Sequence, residues 1–313
     1  MQFPHKKGLL IVLSVILFYV MFSIYSDINK IAYNFSKIDV PLLLLIFLSS
    51  FCVLLAKGIR QFLLLKYLGI EIGIKENFMI FFSGLPMLVT PAGIGEIIKS
   101  YYLKKRNGEN ISKTFPFVLM EKSHDLLAMI TIISIILFFV DLEAAKILSI
   151  ISWMIFIAAF SIFRNKKLFY RIIPKIGKVK KLHKFSDNLS SSYESLHSLL
   201  GYKIMVKSWI TSMVSWILTA ISYYLCFKAL HINMDMLHST LFTLTSIVFG
   251  AISFLPGGVG VVELSLAQLL IKTGLDLGIA SSLVLLVRLT GTWFAVAIGF
   301  IASRSVMKIQ STI

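Results

Sequence analysis

Cysteine is nearly absent from this chain. Its two copies in 313 residues, Cys52 and Cys226, both lie in apolar runs, so no disulfide framework exists and both read as small buried hydrophobes. Acidic residues are also few: 15 Asp and Glu face 31 Lys and Arg, for a formal net charge of +16. Polar stretches of the kind that solubilise a globular domain are missing. The chain is 57% hydrophobic with a mean hydropathy of +0.86, which excludes an ordinary soluble domain. A Walker-A loop, a dinucleotide fingerprint, a Ser-His-Asp order and a zinc-type Cys/His set are all lacking. No cofactor and no metal are therefore expected, and the protein is not expected to be an enzyme. Glu121-x-x-His124 has the spacing of a metal-binding pair, but a di-metal site needs a second such pair, so His124 reads as structural.

What is present is a series of apolar runs. Several reach the roughly 17 to 25 residues that cross hydrocarbon. Full spans are expected at 8–26, 40–58, 124–140, 147–163, 208–230 and 280–302. The run after Lys6 and Lys7 exceeds a signal-peptide core of about 7 to 15 residues and precedes no small-residue cleavage site, so it reads as a retained first span. The basic excess invites a nucleic-acid partner, yet Lys and Arg collect between the apolar runs, as positive-inside orientation requires. No nucleic acid is expected. His5, Lys6 and Lys7 put the N-terminus inside, Asp27 and Asp39 fall outside, and Lys57, Arg60, Lys66 and Lys75 return inside. Asp141 and Glu143 lie outside again. The segment 164–207, with eleven Lys and Arg against Asp187 and Glu194, belongs inside, the 231–238 connection outside, and Arg304 and Lys308 inside. Both termini are thus expected to be cytoplasmic. In 164–207, Phe185, Leu189, Tyr193, Leu196 and Leu200 recur at helical spacing behind the basic run Lys175, Lys178, Lys180, Lys181 and Lys184. This is either an interfacial helix on anionic lipid or a positive-inside loop with a packed helix.

One motif occurs twice. Pro91-Ala92-Gly93-Ile94-Gly95-Glu96 follows the apolar run from Ile80 to Val89, and Pro256-Gly257-Gly258-Val259-Gly260-Val261 follows that from Leu241 to Leu255. The echo continues. Gly108 lies 17 residues after Pro91 and Gly274 lies 18 after Pro256, while Val118-Leu119-Met120-Glu121-Lys122 matches Val284-Leu285-Leu286-Val287-Arg288. The stretches 77–106 and 237–273 each carry one break and have limbs too short to span, so each reads as a re-entrant hairpin. Loop charges place the two hairpins on opposite membrane faces, an inverted repeat. The expected fold is an all-α polytopic membrane protein with about six full spans plus two oppositely oriented broken hairpins. It forms a single domain over 1–313, with repeat halves at about 40–140 and 208–302.

At each break, glycine permits positive φ and close backbone approach, and proline ends the incoming helix. The outgoing helix presents unpaired N–H groups and its positive dipole end, a seat for an anion such as a headgroup phosphate. Pro91, Gly93, Gly95, Pro256, Gly257, Gly258 and Gly260 are therefore candidate anion-binding positions, together with Lys99 and Arg288. Ionisable residues at membrane depth point to function by default. Glu96 can cap the helix after the first break, Glu121 and Asp125 share a helix face beside Lys122, and Glu263 follows the second break. The alternative is a set of internal ion pairs, for example Arg288 with Glu96 or Glu121; the two roles can coexist.

The stretch TPAGIGEIIKSYYLKKRNGENISKTFPFVLMEKSHDLLAM from Thr90 to Met129 resembles a known family, as do PGGVGVVELSLAQLL and VLLVRLTGTWFAVAIG. They are similar to the flippase-like membrane domain of lysylphosphatidylglycerol synthases and its stand-alone relatives. The resemblance covers nearly the whole chain. It implies translocation or handling of an anionic lipid, a phospholipid or polyprenyl-phosphate-linked sugar, in the cytoplasmic membrane of a prokaryote. The break residues with Glu96, Lys99, Glu121, Asp125, Glu263 and Arg288 are its polar positions. Many relatives carry a basic residue where this chain has Gly93, and Lys122 stands where Arg is common. No aminoacyl-transferase domain follows Ile313 in this sequence, so a stand-alone member that does not charge lipid is expected. One alternative is a non-transporting partner that presents lipid to a separately encoded glycosyltransferase or synthase. Another is an integral-membrane lipid transferase that uses the carboxylates as acid and base.

Overall fold

The computed structural model describes residues 15, 17–90, 93–176 and 189–311. Every regular element among them is helical, so the chain is an all-α, multi-pass membrane protein. Among the described residues four helices are long and apolar enough to cross a bilayer: Val40–Tyr67, Glu143–Arg164, Tyr202–Ala229 and Leu277–Ser303. They match four of the six expected spans. The first expected span falls largely outside the described residues, although 17–25 is helical. The third, 124–140, is the C-terminal part of a longer helix, Ile111–Ile136, which carries Lys113, Glu121, Lys122 and Asp125 along its length. The basic run Lys178–Lys184 lies outside the described residues.

We number the helices α1 (17–25), α2 (Ile28–Ser36), α3 (Val40–Tyr67), α4 (Ile74–Gly84), α5 (Ile98–Asn107), α6 (Ile111–Ile136), α7 (Glu143–Arg164) and α8 (Lys166–Ile176). They continue as α9 (Leu189–Leu199), α10 (Tyr202–Ala229), α11 (Met236–Ile252), α12 (Val261–Lys272), α13 (Leu277–Arg288) and α14 (Phe294–Ser311). The chain divides into two compact units. The first comprises 1–50, 88–93 and 219–294; the second comprises 51–87, 94–218 and 295–313.

In the first unit, short polar side chains stitch apolar helices together. Ser281 Oγ donates to Ser26 Oγ at 2.8 Å and Asn34 Nδ2 to Ser282 Oγ at 3.0 Å, joining α2 to α13. Ser50 and Ser222 share a bond of 2.9 Å. Helix α11 begins at Asp235, whose carboxylate accepts the His238 and Leu237 N–H groups. Those bonds hold its carboxyl below the usual carboxylate range. Along α11 the hydroxyls of Thr243 and Ser246 are spent on the carbonyls of Ser239 and Phe242, each at 2.8 Å. These two hydroxyls are thereby buried with their hydrogen bonds made, and the helix keeps a narrow profile. The chain then breaks at 253–260 and re-forms as α12.

In the second unit, the apolar core is built by Leu64, Leu65, Ile80, Leu103, Phe117 and Leu196, among others. Polar glue binds α3 to α4: Asn77 Nδ2 donates to the Gly58 carbonyl at 2.8 Å, and Gln61 Nε2 to Asn77 Oδ1 at 3.1 Å. With no water in hydrocarbon, these bonds replace hydration lost by the amide N–H groups, while Gln61 Oε1 has no partner among the described residues. The α4 helix tightens into a 3₁₀ turn, Leu85–Val89; beyond the break, a second 3₁₀ turn, Ile94–Ile97, leads into α5. Pro116 sits inside α6.

Gly258 shows why glycine is needed at the second break. Its φ is +64°, and a Cβ there would come within 3.1 Å of the Gly250 Cα and 3.0 Å of Val262 Cγ2. The last turn of α11 and the break at Gly258 therefore touch backbone to backbone. Gly258→Ala should lower stability by about 1–3 kcal/mol, combining left-handed strain with this clash. Thermal unfolding in detergent is the measurement.

Candidate functional site

Two charged clusters are buried, one in each unit. In the second unit Lys99 leaves the first turn of α5 and is fully buried. Its stem crosses Gly84, where a Cβ would meet Lys99 Cε at 2.7 Å, so only glycine lets the chain through. Its Nζ lies 2.7 Å from Glu96 Oε2 and 3.0 Å from Glu121 Oε2, and 5.0 Å from the centre of the Phe81 ring. Glu96 also pairs with Lys122 from α6. Glu96 thus spans two cations and Lys99 two carboxylates. Glu121 Oε1 is buried with no hydrogen-bond partner among the described residues.

The same cluster extends along α6. Asp125 accepts Arg60 Nη1 at 2.6 Å and Nη2 at 3.3 Å, a forked contact, and Trp216 Nε1 at 2.9 Å. Arg60 Nη1 also donates to Ser212 Oγ at 2.7 Å. Lys57, one turn before Arg60, holds its ammonium 4.6 Å above the Trp216 ring and 3.8 Å from Asp125 Oδ2. Among these described residues four cations, Lys57, Arg60, Lys99 and Lys122, face three carboxylates, Glu96, Glu121 and Asp125.

In the first unit Arg288 ends α13 at 6% exposure. Its Nε donates to Glu263 Oε1 at 2.7 Å and lies 3.3 Å from the Tyr19 hydroxyl. Nη2 donates to the Gly257 carbonyl at 2.7 Å and Nη1 to Thr292 Oγ1 at 3.3 Å. Thr292 is set by a π-helical turn, Leu289–Trp293, directly after the arginine. The Tyr19 hydroxyl donates to Glu263 Oε1 at 2.5 Å and accepts from Trp293 Nε1 at 3.2 Å. Glu263 Oε2 in turn accepts the Gly260 N–H at 2.7 Å, so a carboxylate of the chain itself occupies the N-terminus of α12.

These geometries sort the sequence candidates. Glu96, Lys99, Glu121, Lys122 and Asp125 come together in one cluster; Gly257, Gly260, Glu263 and Arg288 come together in the other. Pro91 lies outside the described residues. Gly93 takes φ +65° and Gly258 packs on α11. The capping role expected of Glu96 belongs to Glu263 instead: the α5 N-terminus has no side-chain cap, because Glu96 is drawn to Lys99 and Lys122. The carboxylate facing Arg288 is Glu263, where Glu96 or Glu121 had been considered. Arg60 and Lys57 were read as loop residues. They instead belong to α3, which runs nine residues past the expected end at 58. Their signal was present: positions 57, 60, 61 and 64 lie on one helical face. Tyr19, Trp216 and Thr292 carried no pattern of their own. His124 Nδ1 lies 2.7 Å from the Met120 carbonyl, and its Nε2 is buried with no hydrogen-bond partner among the described residues.

Comparison with known families gives one match. Residues 8–299 fit the model described as the lysylphosphatidylglycerol synthase TM region. Among curated proteins no match is found.

Asp125→Asn should destabilise the protein by about 3–5 kcal/mol, because it leaves Arg60 buried and uncompensated. Replacing both partners, Arg60→Met with Asp125→Leu, should restore most of that loss. Chemical denaturation in mixed micelles distinguishes the pair: equal losses in single and double variants would mean that the charge pairing contributes little.

Proposed function

The chain belongs to the family of the lysylphosphatidylglycerol synthase transmembrane region, and from that premise we propose that it translocates or handles an anionic lipid across the cytoplasmic membrane of a prokaryote. One observation carries this reading. Lys122 and Arg288 occupy matching positions of the sequence echo, and each pairs with a carboxylate in the first turn after a Pro-Gly break, Glu96 and Glu263 respectively. The same construction made twice is what an inverted repeat of re-entrant hairpins would produce, with both termini cytoplasmic.

Chemically, each pair is a latch. A headgroup phosphate is a stronger bidentate acceptor for guanidinium than a carboxylate already shared with Tyr19, so it can compete for Arg288. Drawing Arg288 to such a competitor would release the Gly257 carbonyl in the break, while Glu263 keeps its cap on α12. Ligand binding and movement of the break are thereby linked through one side chain. In this reading Glu96, Glu121 and Glu263 hold and release cations and do not act as general acids.

The test is a leaflet-quenching assay on the full chain in liposomes containing fluorescent phosphatidylglycerol or polyprenyl-phosphate sugars. Wild-type protein should exchange labelled lipid, and Arg288→Ala should reduce the rate at least tenfold, one lost charge-assisted contact being enough. Exchange no faster than in empty liposomes would count against translocation; lipid that still co-purified would then favour a partner that presents lipid to a separate transferase.

A further inference from the structure

Among the described residues, Lys57 is the cation of the second unit's cluster with no hydrogen-bonded carboxylate of its own. The ammonium carries three donors, yet its closest carboxylate oxygen, Asp125 Oδ2, is 3.8 Å away and is already within 3.3 Å of Arg60 Nη2. The other Asp125 oxygen is taken by Arg60 and Trp216. What Lys57 gains is the face of the Trp216 ring at 4.6 Å, a contact that partly offsets desolvation and leaves the N–H groups unspent. Its side chain is 22% exposed, on a helix otherwise apolar from Val40 to Ala56.

Lys122 lies three residues before Asp125 on α6, the carboxylate that Lys57 approaches at 3.8 Å, and is the most accessible member of the cluster, with 35% of its side chain exposed. Two ammonium groups on α3 and α6 therefore repel each other across a patch where cations outnumber carboxylates. The matching site in the first unit has no such surplus: Arg288 faces Glu263 alone. A surplus charge on membrane-spanning helices is costly unless a counter-ion supplies the missing sign.

We propose that Lys57 and Lys122, with Trp216 as the wall beneath, bind a phosphate oxyanion, and that the group so held is the headgroup phosphate of a membrane lipid. This deepens the proposed function and rests on it: beside the seat at Arg288 it adds a second one in the other unit, at Lys57 and not at the sequence candidate Lys99. Lys99 is unsuited, being saturated by Glu96 and Glu121. Oxygens of a phosphodiester accept from both ammonium groups, Arg60 remains committed to Asp125, and no bond is made or broken.

The experiment is native mass spectrometry of the full chain released from nanodiscs of phosphatidylglycerol and phosphatidylcholine, with inorganic phosphate added in a parallel series. Wild type should retain phosphatidylglycerol preferentially. Lys57→Ala should lose that preference about tenfold or more, as expected for a charge-assisted contact, and Lys57→Arg should keep it. Lys30→Ala, a surface lysine paired with Asp276, should change nothing. Displacement of lipid by millimolar phosphate would make the free ion the ligand and overturn the lipid assignment. Retention undiminished in Lys57→Ala would overturn the site itself; lipid exchange persisting in the same variant would show that the wider function survives without it. If Lys57→Ala fails to fold by its thermal transition, Trp216→Phe, which removes the donor to Asp125 but keeps an aromatic face, together with Lys122→Ala, decides the same question.

Discussion

Lys99 sets the terms for everything around the first break. An ammonium with no access to water must have its charge met within the protein, and it is met twice, by Glu96 before it and Glu121 on α6. That demand fixes the 3₁₀ turn at Ile94–Ile97 against α6 and requires the bare Cα of Gly84 for the lysine stem to pass. Once Glu96 is so engaged it cannot cap α5, and its second oxygen recruits Lys122. Much of the unit's polar geometry follows from where one buried charge finds its partners.

The two units solve the same problem with different residues. One uses a single arginine whose five donors reach a carboxylate, a carbonyl and a hydroxyl, so one side chain ties the break to the end of α13. The other surrounds its break with lysines, which are point charges with less directional reach, and keeps its arginine, Arg60, for Asp125. Polar residues elsewhere serve packing: the hydroxyls of Thr243 and Ser246 return to their own helix, and the amides of Asn77 and Gln61 join α4 to α3.

The sequence disclosed the membrane class, the two breaks and the charged positions that matter, because each departs sharply from an apolar background. Glu96, Lys99, Glu121 and Lys122 could be singled out since hydrocarbon makes any ionisable residue conspicuous. Which charge meets which was not legible. Glu96 and Glu263 both follow a break, but one is pulled to lysines and the other turns back to its helix end; nothing local separates them. The extent of α3 was misjudged for a related reason. Lys57 and Arg60 look like the mark of a loop, and only the partner Asp125, 65 positions after Arg60, makes a charged helical turn tolerable. Tyr19 and Trp216 escaped notice because aromatic residues are ordinary in such helices, and only their hydroxyl and indole donors give them away.

The carboxylate of Glu263 at the start of α12 has an electrical consequence. That helix end is neutralised from within, so ambient chloride or phosphate has little reason to settle there. The same carboxylate also holds Arg288 at the end of α13, so the polarity of this helix end and the seating of the break answer to a single side chain.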